Sequence, residues 1–263
     1  MLYPYSFKKL LLESVIALPA PRLLHRLCRL YNDAKEGENF GDMTINGEVR
    51  FLRSQAHGCD VLFDVGANRG KWTQHALAAT KEAQIYCFEP LPALYQTLLA
   101  NQFPRRVVCN QFGLSDETGE RQMNLTTTSL YGRRPNPDSG PASSLTETVR
   151  LSTLDEYCAE QGVEQIDLLK LDVEGHELAV LRGGQQMIRE GRIKRIQFEY
   201  GPCNIYSRVL LRDLFTFFED QEYDVYKITP RKLVKQRAYD PRLENFQYKN
   251  FAVLHSSLAA KQT

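Results

Sequence analysis

Between residues 61 and 198 the chain repeats one pattern, a short apolar run followed by a stretch of helical spacing. The runs fall at 61–65, 84–88, 106–112, 166–173 and 194–198, and helical patterns occupy 70–80, 91–101 and 176–190. Runs this short, with little polar alternation, read as strands covered on both faces, and the helices between them read as crossovers of a parallel sheet. Pro90 and Pro92 suit a first helical turn, and Glu177 puts an acid near a helix N-terminus. Two stretches break the rhythm. Residues 111–125 read as a hairpin turning at "DETG", and 126–147, rich in Thr, Ser, Pro and Gly, as a mobile surface loop. A helix and strand over 211–228 and a last strand over 249–254 complete a doubly wound α/β domain, expected over 58–263 behind a helical extension over 1–57.

Composition removes several classes of function. The 263 residues carry a formal net charge of +1, so no global field draws the chain to nucleic acid, and no nucleic-acid partner is expected. Six cysteines without a C-x-x-C pair argue against a zinc site and fit a reduced cytoplasm. The N-terminus imitates a signal peptide, but Glu13 interrupts it and no apolar stretch reaches the ~18 residues of a spanning helix. At helical period, Leu10, Ile16, Leu23, Leu24, Leu27 and Leu30 form apolar stripes with Lys8, Lys9, Arg22, Arg26 and Arg29 between them. Such helices either cap the main domain or dock on a membrane or partner.

In an open α/β sheet, ligands bind beyond the carboxyl ends of the strands. The first strand and turn read "VLFDVGANRG", where Gly66 and Gly70 allow close backbone approach and leave a helix N-terminus open. A dinucleotide fingerprint counted from Gly66 needs glycine at 68 and 71, where the chain has Asn68 and Lys71. Asp64 is an odd neighbour for a pyrophosphate but suits an ammonium group, the alternative being a turn cap. Glu89, at the end of the second strand, can accept from a ribose diol. An amine at the first turn and a ribose at the second point to S-adenosylmethionine.

Several stretches in order, "FDVGANRG", "CFEP", "NQFGLSDETGE", "STLDEY", "IDLLKLDVEGHELAVLRGG" and "IQFEYG", resemble the FkbM-type methyltransferase family. The resemblance covers roughly 58–200 and is weaker in "NGEVRFLR" and "CNIYSR". It implies an S-adenosylmethionine-dependent O-methyltransferase acting on glycan or natural-product hydroxyls. It also implies a seven-stranded Rossmann-like sheet whose last strand is antiparallel, and Ser115 and Asp116 on the adenine side of the cofactor.

Methyl transfer to oxygen needs an aligned hydroxyl, a base and exclusion of water. The fourth strand ends in Asp172, Glu174, His176 and Glu177. His176, with an ordinary pKa near 6.5, is the first candidate for the base, and a helix cap is its bland alternative. Asp172 competes as base, cofactor contact or metal ligand, with Glu174 behind it; Glu177 reads as a helix-start acid and Lys170 as the partner of a nearby carboxylate. "HELAV" lacks the histidine at 180 that a zinc-protease helix requires. Asp172, Glu174, His176 and Glu199 could together hold a divalent ion, but the sequence carries no ligand geometry. Glu199, Asn204 and Arg208 are candidate acceptor contacts, and "PRKLVKQR" over 230–237 reads as solvated surface. The rival readings are a nicotinamide oxidoreductase and a cofactor-binding module without turnover.

Overall fold

The computed structural model describes residues 9, 13, 14, 21–125, 129, 130 and 145–261. Two helices come first, α1 (Pro21–Glu36) and α2 (Glu48–Gln55). The alternating part follows as β1 (Val61–Val65), α3 (Lys71–Ala79), β2 (Gln84–Phe88), α4 (Pro92–Leu99) and β3 (Val107–Asn110). Next are β4 (Gly113–Ser115), β5 (Gly119–Asn124), β6 (Thr146–Thr153) and α5 (Leu154–Gln161). The chain returns to the main sheet with β7 (Leu168–Leu171), α6 (Glu177–Gly183), α7 (Gln185–Arg189) and β8 (Arg195–Tyr200). It ends with α8 (Cys203–Ser207), α9 (Leu211–Phe218), β9 (Tyr223–Ile228), β10 (Leu233–Gln236) and β11 (Lys249–His255).

Among the described residues the main sheet has eight strands, in the order β10-β9-β11-β8-β7-β1-β2-β3. β1, β2, β3, β7 and β8 pair in parallel, and β11 lies antiparallel between β8 and β9. The eighth strand corrects two expectations, the sheet of seven and the solvated loop at 230–237. β10 pairs antiparallel with β9 because Leu233 and Val234 find partly buried places there, while Lys235 bonds Asp224 at 2.7 Å on the outside.

The hairpin expected over 111–125 is a different structure. β4 and β5 do not pair with each other; β6 runs between them, parallel to β4 and antiparallel to β5. The six-residue register of β5 on β6 outweighs the three-residue arm of β4, and it buries Val149 and Leu151 of β6 with Met123 and Leu91. The loop expected over 126–147 lies mostly outside the described residues, as do Leu10 and Ile16; Ser129 bridges back to Asn124 and Thr146 opens β6.

The two faces of the sheet carry separate apolar clusters. Phe63, Leu171, Phe198 and Phe251 pack with α5, α6 and α9 on one side; Leu62, Ile85, Leu168 and Ala252 pack with Phe51 and Leu52 of α2 on the other. Each such Leu, Ile or Phe side chain is worth about 1.5–3 kcal/mol of burial, so the strands' register is firmly set. In that register Asp64 lies opposite Lys170, Val65 opposite Leu171 and Phe88, and Leu171 opposite Phe198. One residue further along each strand stand Gly66, Glu89, Asp172 and Glu199, all at one edge.

Candidate active site

A cleft opens at this edge. Gly66, Asn68 and Glu89 line one side, Asp172, Glu174 and His176 another, with Leu114, Met123 and Leu151 supplying an apolar wall. Its first half is built from backbone. Gly66 has φ 79°, and a Cβ there would stand 1.9 Å from the carbonyl oxygen of Asp172, so only glycine lets β1 and the end of β7 close together. Asn68, also left-handed at φ 50°, donates its N–H to Glu89 Oε2 at 3.0 Å. Leu91 N–H reaches Oε1 at 2.9 Å, so the carboxylate is held between two turns in the cleft wall. Burial raises the pKa of Glu89 against these two backbone donors.

The second half is built from side-chain charges. Asp64 is fully buried and accepts from Thr73 Oγ1 at 2.7 Å and from Lys170 Nζ at 3.0 Å. The expected ammonium contact at Asp64 is thus taken by a lysine of the protein. Strand alternation and register put the two side chains face to face on adjacent strands, and Asp64 does not line the cleft. Lys170 Nζ also lies 3.3 Å from the carbonyl of Gly66 and 3.4 Å from Asp172 Oδ2. Burial lowers its pKa, but Asp64 and Asp172 outweigh that and the ammonium stays charged.

Asp172 and Glu199 bond each other from adjacent strand ends. Burial pushes the Glu199 carboxyl well above its ordinary range, and the charge of Asp172 adds to this. For Asp172 burial acts upward too, but Lys170 and the bond from Glu199 bring it below its ordinary value. Glu199 therefore carries the proton and donates to an ionised Asp172, whose side chain is 39% exposed toward the cleft.

His176 departs from its expected chemistry. Burial lowers its pKa to about 4; Asp116 opposes the shift and Arg121 adds to it. The ring is neutral at pH 7, with Nε2 at 2.9 Å from Ser115 Oγ, which also donates to Asp116 Oδ1 at 3.0 Å. Packing brings these groups together: a Cβ on Gly183 would stand 1.9 Å from the Ser115 carbonyl, so α6 lies directly on β4. Ser115 and Asp116 line a neighbouring cavity that shares His176 with the cleft.

Glu177 is the first residue of α6, and it also ties the preceding turn. Its Oε1 accepts from Val173 N–H at 3.1 Å and Gly175 N–H at 3.3 Å, while burial raises its pKa to about 7 against those bonds. The turn holds Glu174 at φ 54°, where Oε2 accepts from Cys203 Sγ at 2.5 Å. The remaining candidates lie elsewhere. Gly70 starts α3, and a Cβ there would meet Leu98 and Phe103 at 2.9 Å, so its role is packing. Asn204 is buried and accepts from Gly201 N–H at 2.9 Å, shaping the start of α8. Arg208 borders a separate depression with Arg182 and Asp213. Among the described residues no group of three or more His, Cys, Asp or Glu is arranged to hold a metal ion.

One charged residue of the cluster escaped the sequence reading. Glu48 of α2 accepts from Asn46 Nδ2 and Gln197 Nε2, each at 2.7 Å, and its charge acts on both Lys170 and Asp172. Its signal was the weak likeness in "NGEVRFLR", which contains it.

These features define an α/β protein of the doubly wound class, with a cleft at the carboxyl edge of its parallel strands. The chain belongs to the methyltransferase FkbM domain family, whose model matches residues 64–225. It is 31% identical over 137 residues to the hexuronic acid methyltransferase AglP of Haloferax volcanii, a span of 51% of this chain and 54% of that protein. It is 28% identical to the 2-O-methyltransferase NoeI of Sinorhizobium fredii, over 60% of this chain and 72% of the relative. With the 31-O-demethyl-FK506 methyltransferase FkbM of Streptomyces tacrolimicus it shares 30% identity over 47% of this chain and 59% of the relative. The chain thus spans little more than half the length of two of these three relatives.

Proposed function

We propose that the protein is an S-adenosylmethionine-dependent O-methyltransferase acting on a hydroxyl of a glycan or other small natural product. The observation that carries the reading is Glu89. It is a buried carboxylate pinned by two backbone N–H groups in the wall of a cleft it shares with the close-packed Gly66, in a chain of the FkbM family. The donor set suits the cofactor: Glu89 for the ribose diol, the Gly66–Asn68 turn for close backbone contact, and Ser115 and Asp116 of the adjoining cavity for the adenine side. When bound, S-adenosylmethionine supplies an electrophilic methyl group. The activity is assigned to residues 58–263, with the preceding helices as an extension that reaches the site through Glu48.

Asp172 is the better base of the two candidates. It is ionised, it faces the cleft, and Glu199 and Lys170 hold its orientation. His176, neutral and engaged with Ser115, holds the adenine-side loop instead. Glu174 and Glu199 border the region where an acceptor would enter beside Asp172, Asn204 would act on it only through the start of α8 that it shapes, and Arg208 would contact only an extended acceptor. The relatives named for hexuronic acid and for 2-O-methylation favour a sugar hydroxyl. The nicotinamide alternative has no support in the family match.

Calorimetry with S-adenosylhomocysteine and with NADH tests the reading directly. Binding of the first alone, weakened by about 1.5–3 kcal/mol in Glu89→Ala, is the expected result. A folded wild-type protein that binds NADH and not S-adenosylhomocysteine would overturn it. Methyl transfer to a panel of sugar acceptors then separates an enzyme from a binding module without turnover.

A further inference from the structure

Helix α1 is attached to the protein at one end and exposed along the rest. At its C-terminal end Glu36 meets Lys227 at 3.0 Å, and Glu38 just beyond it meets Lys227 at 2.7 Å and Lys249 at 3.3 Å. The two lysine side chains are 5% and 0% exposed, so the anchor is buried in the sheet, between β9 and β11. Asn39 N–H then donates to the Tyr248 carbonyl at 2.9 Å, and the Tyr248 hydroxyl lies 3.9 Å from Cys203 Sγ, which bonds Glu174. The arm therefore leaves the body beside the edge that carries the candidate active site.

Along α1 the large apolar residues face solvent: Leu23 is 62% exposed, Leu27 54%, Leu30 57% and Tyr31 67%. At about 100° per residue, Leu23, Leu27, Leu30 and Tyr31 share one face. Among the described residues α1 contributes to no apolar cluster of the core. Arg22, Arg26 and Arg29 form a second stripe flanking the first, with no ion pair among the described residues, and no acid occurs between Pro21 and Asn32. A whole chain of net charge +1 thus concentrates cations on one amphipathic arm.

We propose that α1 docks the protein on the anionic surface of a lipid bilayer. Its leucine face enters the headgroup boundary while the three arginines extend along their stems to lipid phosphates. Charge favours this occupant over a second copy of the chain: the exposed part of α1, residues 22–31, carries three arginines and no acid, which an anionic surface complements, while Asp33 and Glu36 come only at the anchored end. Docking needs neither cofactor nor acceptor, so its test is separate from the test of the proposed activity.

The test is flotation of the full chain with vesicles of phosphatidylglycerol or of phosphatidylcholine, together with sedimentation velocity of the protein alone. The expected result is binding to phosphatidylglycerol about ten-fold or more above phosphatidylcholine, lost at high salt. Leu27→Asp and Arg26→Glu should each lower that binding about ten-fold while leaving the melting temperature unchanged, since both positions lie outside the core. Equal binding to both lipids, no flotation of the wild type, or binding unchanged in both variants overturns the proposal. So does a wild-type dimer that Leu27→Asp dissociates, which would make a second copy the occupant.

Discussion

The two sides of the cleft are built by different physics. On the β1–β2 side, Gly66, Asn68 and Glu89 are held by backbone N–H groups and by the absence of a Cβ. On the β7–β8 side, Lys170, Asp172 and Glu199 are held by one another's charges, with a single proton shared between the two acids. Backbone geometry tolerates a change of solvent or pH; a cluster of buried charges depends on every member keeping its protonation state. The first side therefore suits shape recognition of a constant ligand, and the second suits handling of a proton.

Breaking the charge cluster should have the largest effect. Lys170→Met removes the cation between Asp64 and Asp172 and leaves Asp64 buried without a counter-charge, so urea unfolding should show a loss of about 3–5 kcal/mol. A loss below about 1 kcal/mol would mean that the cluster is not held by charge. Next in size, Asp172→Asn should lower methyl transfer by about 10²–10⁴-fold at nearly unchanged S-adenosylhomocysteine affinity. His176→Ala should cost far less. The reverse order would return the base to the histidine.

On the backbone side the matching experiment is Gly66→Ala. A left-handed alanine with its Cβ against the Asp172 carbonyl should lose about 2–3 kcal/mol of stability and most cofactor affinity together. Retained affinity in a folded variant would remove this turn from the ligand's path.

The smallest effect is a pair of opposed pH slopes. His176 has a folded pKa of about 4, below its ordinary 6.5, so the unfolded chain binds more protons between those values. Its contribution is present above pH 6.5 and is lost as pH falls toward 4. Glu177 has a folded pKa of about 7, above its ordinary 4.5, so its contribution is present below pH 4.5 and is lost as pH rises toward 7. Over the shared window the two contributions nearly cancel each other. Relative to the wild type, the stability of His176→Gln should therefore fall with rising pH and that of Glu177→Gln should rise, each by up to about 1.4 kcal/mol per pH unit. Identical slopes in the two variants would show that neither group titrates there.

How much could be read in advance follows the same division. The parallel strands, their helices and the glycine turn at 66 were legible because each is written in a short window as apolar runs, turn residues and spacing. The roles expected of Asp64 and His176 rested on their ordinary chemistry, and neighbours distant in the chain changed both: Lys170 lies 106 positions from Asp64, and Ser115 lies 61 from His176. β6 entered between the arms of the expected hairpin, and β10 turned an apparent surface loop into an edge strand, because pairing rewards the longer and better-buried register rather than the nearer segment.

By itself, then, the sequence determined the class of fold and the residues that end each strand, since both follow from local periodicity. It also determined the amphipathic character of α1. Tertiary structure alone decided which carboxylate meets which cation, where the proton rests between Asp172 and Glu199, that Glu48 reaches the site from α2, and that the leucine face of α1 stays exposed. Charges and protons respond to distance and burial, and these are set only when segments far apart in the chain are packed together.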